Sequence, residues 1–433
     1  MTSFTIGLIG LAVLFVLLLS RMPIGLVMAL VGFAGFAYIA GFSDALGVLA
    51  LVPYSTFASY NMSIIPLFIL MGAFCYYSGL SKNLYDTVHA WLGHFRGGLS
   101  MATIGACAGF AAVSGSSLAT AATMGTVALP EMKRHKYDDR LATGSVAAGG
   151  TIGILIPPSI VLILYAVITE QSIGKLFLAG IIPGILEAVF YLFTIYILCK
   201  FNPLMGPSGP KTTFRQKIVS LKGSWVVLVL FVVIMGGLYM GWFSPIEAAG
   251  IGAFGAFIFA VLRRKLSWTS FKESLFDTGK TTTMIFVILM GAMIFGYFLA
   301  VSRLPNEMAA TISALPINRY FILVIILVFY MFLGAVMDSL AMMLLTVPIF
   351  FPLILQLGFD PIWFGILIVR VCEIGLITPP VGLNVYIIRG VAKDVPMLTI
   401  FRGVAPFLIA DVLHVALLIA VPQLSLFLPS LMR

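Results

Sequence analysis

Ten apolar runs constrain this chain before anything else does. They fall at about 4–20, 23–41, 61–80, 141–168, 176–199, 224–242, 246–262, 281–302, 361–388 and 404–421. A helix needs about 20 apolar residues to cross about 30 Å of hydrocarbon, and these runs are of that order or longer. Hydrophobic residues make up 61% of the chain and charged residues 9%, with a mean hydropathy of +1.12. A soluble domain is not that apolar. The sequence predicts an all-α polytopic membrane protein, with the lipid bilayer as its solvent.

The net charge of +9 would suit a nucleic-acid partner in a soluble protein. Here the positive-inside rule accounts for it, and no nucleic-acid partner is expected. With the N-terminus outside, the 25 Lys and Arg residues fall in inner loops except for Lys175, Arg303, Arg319 and Arg433 outside and Arg370 within the membrane. The reversed orientation would invert that bias, so both termini are expected outside. The start, MTSFTIGLIG, has no basic region and no small-residue cleavage site, so it reads as a retained span rather than a signal peptide. Cys75, Cys107, Cys199 and Cys372 are scattered through apolar sequence and read as packing residues. The four histidines form no metal-binding pattern.

Two of the apolar runs carry helix breakers at their centres. GILIPPSIVL (153–162) holds Pro157 and Pro158, and GLITPPVGLN (375–384) holds Pro379 and Pro380. A proline inside a helix costs about 3 kcal/mol or more. In lipid the freed carbonyl must be buried in protein or line a wet cavity. The two Pro-Pro pairs lie 222 residues apart. LFILMGA (67–73) and FVILMGA (286–292) repeat at 219, Thr126-Val127 and Thr346-Val347 at 220, Asp138 and Asp360 at 222, and Pro183 and Pro406 at 223. The chain is two related halves. An odd number of crossings separates them, so they read as inverted-topology repeats, the signature of transporters with a midplane site between broken helices.

Each half holds a second irregularity. Ser114-Gly115-Ser116-Ser117 interrupts the run between Gly97 and Pro130 and leaves arms too short to cross, which predicts a re-entrant hairpin over 97–130. Its counterpart, 318–357, turns near Gly334 and Asp338-Ser339, with arms long enough to leave two full crossings as the alternative. Unwound backbone suits cations through carbonyls and anions through helix N-termini. Ser116, Ser117, Thr151, Thr378 and Asn384 add neutral side-chain oxygens, and Gly115, Gly153, Gly334, Gly375 and Gly382 allow close backbone approach. Small residues of this kind also serve helix packing in membranes. Among intramembrane ionisable residues, Arg370 and Glu373 are three apart and are expected to neutralise each other, with a direct binding role as the alternative. Asp411, His414 and Glu187 flank the repeat cores and read as packing or scaffold residues. Asp338 is the acidic residue expected to serve cation binding or gating.

The segments SGSSLATAATMGTVALPEM (114–132), GGTIGILIPPS (149–159) and EIGLITPPVGLNVY (373–386) resemble the large membrane subunit of tripartite ATP-independent periplasmic (TRAP) transporters, over essentially the whole chain. The resemblance implies an elevator-type fold of the ion-transporter superfamily. It implies sodium-coupled import of a small organic acid across the bacterial inner membrane, with sodium ions as the coupling ions and no other cofactor. The partners it implies are a periplasmic substrate-binding protein (P-type) and a separate small four-helix membrane subunit (Q-type). By position, one sodium site would involve Ser114, Gly115, Ser116, Thr151 and Gly153, and another Gly334, Gly375, Thr378 and the backbone near Val381, with Asp338 beside it. Substrate contacts would fall to Ser116, Ser117 and Asn384, with Arg370 as a further candidate.

The resemblance divides the chain into scaffold helices (1–60), a first repeat core (61–170), scaffold helices with a cytoplasmic loop at 200–223 (171–280), a second repeat core (281–390) and a last scaffold helix (391–433). The alternative is a stand-alone sodium or proton dicarboxylate symporter of the same superfamily. A channel suits broken inverted repeats less well. Gly115-Ser116-Ser117-Leu118-Ala119 is a near miss for a serine nucleophile motif. It lacks the final glycine, and nothing brings His414 to Ser117, so no enzyme activity is expected.

Overall fold

The computed structural model describes residues 2–20 and 22–432, so Arg21 and Arg433 of the charge distribution lie outside the described residues. Every regular element among them is helical. The first half runs α1 (Ser3–Leu19), α2 (Ile24–Ala40), α3 (Phe42–Phe57), α4 (Ile64–Tyr77), α5 (Leu80–Leu92), α6 (Gly98–Ser114), α7 (Ser117–Arg134), α8 (Asp139–Leu155), α9 (Ile160–Thr169) and α10 (Ile173–Phe201). The second runs α11 (Phe214–Tyr239), α12 (Pro245–Leu262), α13 (Trp268–Ser302), α14 (Leu304–Ser313), α15 (Arg319–Gly334), α16 (Ser339–Gln356), α17 (Pro361–Gly375), α18 (Leu383–Val391), α19 (Met397–Ala420) and α20 (Gln423–Ser430). Eight stretches are long and apolar enough to cross a membrane by length and composition.

The helices start where the sequence supplies caps. Asp138, Ser159, Ser172, Asp338 and Asp360 each accept a backbone N–H of the helix they precede. Ser244 and Glu247 close a reciprocal capping box at α12, as Thr213 and Gln216 do at α11. The apolar runs miss some of what forms. α3, with Asp44 and Pro53 inside it, and the mixed-polarity α5 lie outside every run. α11 begins at Phe214, so the expected loop at 200–223 shrinks to the segment between Phe201 and Phe214, which includes a short 3₁₀ turn, Pro203–Met205. α13 begins at Trp268 rather than near 281.

Packing follows the repeat. α2 lies along α13, and their mates in the opposite halves, α12 and α4, lie along each other. The first pair meets backbone to backbone: a Cβ at Gly25 would lie 2.6 Å from the Val287 carbonyl oxygen, and one at Gly32 would lie 2.7 Å from the Phe295 Cα. Apolar contact with lipid and with protein differ little, so such close approach is what joins membrane helices. α8 and α19 meet the same way, with a Gly403 Cβ placed 2.0 Å from the Arg140 carbonyl oxygen. α10 packs on α8, α9 and α17, and α19 packs on α8, α10 and α17. The two hairpins, α6–α7 and α15–α16, and the two broken helices, α8–α9 and α17–α18, form the centre.

Candidate functional site

The first hairpin turns through two residues. Gly115 takes a left-handed conformation, φ +59°, which a residue with a side chain rarely adopts. Ser116 then caps α7, its hydroxyl accepting from the Ala119 amide at 3.3 Å. The tip sits on the first break, since a Cβ at Gly115 would lie 2.8 Å from the Pro158 carbonyl oxygen. α8 passes against the same tip, where a Cβ at Gly153 would lie 2.9 Å from the Ser116 carbonyl oxygen and 3.0 Å from the Thr120 hydroxyl. Ser114 and Thr120 pair their hydroxyls at 3.0 Å, and Thr120 donates to the Ser116 carbonyl at 2.8 Å. Ser114, Gly115, Ser116 and Gly153 are thus brought together, and Thr120 joins them.

The second hairpin turns at the second break in the same manner, so it is re-entrant although α16 alone is long enough to cross. Asp338 caps α16, accepting from the Leu340 amide at 3.1 Å. Gly334 and Gly375 meet backbone to backbone, since a Cβ at Gly375 would lie 2.5 Å from the Gly334 carbonyl carbon. The Gly382 amide donates to the Ala335 carbonyl at 3.3 Å, the Asn384 amide to Leu376 at 3.0 Å, and the Thr378 hydroxyl to Ile374 at 2.6 Å. Gly334, Gly375, Thr378 and the loop through Val381 therefore share one place. Both Pro-Pro bonds are cis. Pro157 and Pro158 are buried, whereas Pro379 and Pro380 are exposed. Open backbone at membrane depth needs protein or water over it, so the second break faces a wet side of the site.

Three side chains depart from expectation. Arg370 does not neutralise Glu373, nor does it lie between the tips. Its guanidinium faces Glu187, at 2.9 Å, and Asp411, and it also donates to His414 Nδ1 at 3.2 Å and to the Tyr191 hydroxyl at 3.3 Å. α17 is buried on every side from Trp363 to Gly375, so each side chain meets a different element and the pairing along the helix is lost. Thr151 belongs to this cluster rather than to the first tip, with its hydroxyl 2.9 Å from both Glu187 Oε1 and the Tyr191 hydroxyl. Glu187, Asp411 and His414, read as peripheral in the sequence, supply the partners.

Glu373 takes the place between the tips. It has no exposed surface, and its carboxylate accepts the Ser117 hydroxyl at one oxygen and the Ser339 hydroxyl, at 2.9 Å, at the other. Asn384 lies beside the first tip: its amide nitrogen donates to the Ala147 carbonyl at 3.3 Å, and its buried Oδ1 has no hydrogen-bond partner.

Two cavities repeat across the halves. One, of about 330 Å³, is lined by Ile69, Gly72, Ala73, Tyr77, Ala122 and the tip serines Ser114 and Ser116, with Asp277 and Thr281 of α13 opposite. Across it Tyr77 donates to Asp277 at 2.6 Å. The other, of about 350 Å³, is lined by the repeat mates Leu289, Ala292, Met293, Tyr297 and Leu344. The cavities sit at opposite ends of α13, as inverted repeats require, and only the first reaches a tip.

A sequence model of the family described as "Tripartite ATP-independent periplasmic transporter, DctM component" matches residues 11–424. The chain belongs to that family. It is 38% identical over 401 residues to the C4-dicarboxylate TRAP transporter large permease protein DctM of Pseudomonas aeruginosa, covering 92% of this chain and 93% of that protein. It is 34% identical over 386 residues to the isethionate TRAP transporter permease protein DctMQ of Oleidesulfovibrio alaskensis, covering 88% of this chain and 59% of the longer relative. Among solved structures, the YdaH transporter of Alcanivorax borkumensis shares the fold, with a TM-score of 0.66 over 90% of each chain at 15% identity.

For a TRAP large permease, the donors at the two tips are hydroxyls and backbone carbonyls, with the orphaned Asn384 Oδ1 near the first. Neutral oxygens at unwound helix ends fit a hard monovalent cation such as sodium. Sequence reasoning missed Glu373 as a site residue, although a signal was present: Ser117 and Ser339 are 222 residues apart, the spacing of the Pro-Pro pairs.

Proposed function

We propose that this TRAP large permease imports a small organic acid by sodium-coupled, elevator-type alternating access, and that a periplasmic binding protein delivers the substrate. The observation that carries the reading is the doubled site: each hairpin tip docks on a broken helix, and the two tips meet at one carboxylate. Ser114, Ser116, Gly153 and Thr120 would hold one cation, and the backbone around Gly334, Gly375, Thr378 and Val381 another. Ser116, Ser117 and Asn384 line the place left for an anion, close to the N-terminus of α7.

The matched cavities at the two ends of α13 support alternating access, one end reaching a tip and the other stopping short of it. The packing of α10 and α19 on both broken helices supports a moving body that includes them, carried against a frame built on α2, α4, α12 and α13. The names of the relatives, one for a C4-dicarboxylate and one for isethionate, support a small organic anion as cargo. The longer relative named DctMQ supports pairing with a small membrane subunit. The basic residues of the loops support N- and C-termini on the periplasmic side of the inner membrane.

The test is thermal unfolding of the purified chain across a sodium titration, with choline holding ionic strength constant, repeated for Thr378→Ala and Ser116→Ala. A ligand of the folded state alone raises its apparent stability with concentration. A saturable, sodium-specific rise is expected, with its midpoint moved to higher concentration in both variants. A flat response in the wild-type chain sinks sodium coupling and leaves the family assignment standing.

A further inference from the structure

Glu373 lies in the last turn of α17, and its two oxygens serve two different hairpins. Ser117 is the first residue of α7 and Ser339 the first residue of α16, so each hydroxyl comes from the same point in its repeat. Arg370, one turn earlier, is turned to Glu187 and Asp411. Among the described residues Glu373 has no ion-pair partner within 4 Å. Its compensation comes from the two hydroxyls and from the N-termini of α7 and α16, where the helix dipoles leave partial positive charge. A buried charge with half of its hydrogen bonds removed is costly, so neither tip can shift without penalising the other.

We propose that Glu373 is a positioning residue that couples the two hairpin tips, so that ordering one tip orders the other across the repeat. The coupling needs no ligand. Its use in transport rests on the reading above, in which the tips bind the coupling ion.

Hydrogen exchange of the full chain in lipid nanodiscs, first without sodium, tests the coupling. Ser117→Ala is expected to speed exchange in the distant segment 335–345 about fivefold, the lower end of ordinary site-to-site coupling. Ser339→Ala is expected to do the same to 114–124, and Glu373→Gln, which keeps the size and loses the charge, is expected to loosen both. In the double serine variant the effects should fail to add, because either substitution alone already breaks the bridge. Changes confined to the substituted tip, or additive effects in the double variant, overturn the proposal even if the Glu373 variant does not fold. In a second arm sodium is added. One common midpoint at both tips in the wild type, split in Ser117→Ala, is expected. Cross-effects that persist with no sodium response at either tip uphold the coupling and overturn only the sodium reading.

Discussion

Arg370 is buried with both its carboxylate partners, Glu187 and Asp411, while Tyr191 and His414 complete its surround. Tyr191 and His414 are 223 residues apart, the spacing of Pro183 and Pro406, so the two halves contribute matched residues to one cluster. The cluster joins α8, α10, α17 and α19. Removing one partner of a buried ion pair costs about 3–5 kcal/mol, because the charge left behind has neither water nor a counter-ion. Arg370→Met is therefore expected to lower stability by about that amount, or to abolish the folded yield. The triple variant Arg370→Met, Glu187→Gln, Asp411→Asn is expected to recover most of the loss, as read by thermal unfolding. Arg370→Lys should recover little, since a point charge cannot serve Glu187, Asp411 and His414 from one fork. A triple variant as unstable as the single one would show that the cost is packing rather than charge.

Gly334 and Gly375 fix how the second hairpin meets the second broken helix. A Cβ at Gly375 would lie 2.5 Å from the Gly334 carbonyl carbon and 2.6 Å from its Cα, and backbone cannot move aside without parting α15 from α17. Gly375→Ala is expected to cost about 1–3 kcal/mol, the usual range for overpacking, and to weaken any ligand response of the second tip. Gly279→Ala, where a Cβ would meet nothing within 4 Å, is expected to leave the unfolding midpoint unchanged. Equal losses in the two variants would remove the argument. The elements of this junction were legible in the sequence because their chemistry is local: prolines break helices, and Gly/Ser clusters turn them. The constant repeat spacing then related one half to the other. α3 and α5 were not legible, because an apolar run cannot reveal helices of mixed polarity. Nor were the partners of Arg370 and Glu373, since on a helix buried all round they depend on where α10, α19 and the hairpins pack.

At the scale of the whole molecule, the two halves are related in sequence but not in exposure. Ala122 is half-buried in the cavity that reaches the first tip, whereas its mate Leu344 has no exposed surface in the other cavity. A chain with inverted repeats has two conformations of this kind, each obtained by exchanging the roles of the halves. The structure corresponds to the one open toward the end of α13 that carries Asp277, which is the inner end if the basic loops face the cytoplasm. The four native cysteines are buried and give a quiet background for single added ones. In the transporter with its partners, Ala122→Cys is expected to react with a membrane-impermeant maleimide from the inner side, and Leu344→Cys to stay protected. Conditions that drive the outward state, sodium with loaded binding protein, should reverse the two rates by about tenfold each, the effect of a modest population shift. The reversal is the decisive part, because a fixed pore would expose either position without regard to the other. Labelling of both positions at once, or of Ala122→Cys from the outer side, would overturn alternating access or the orientation respectively.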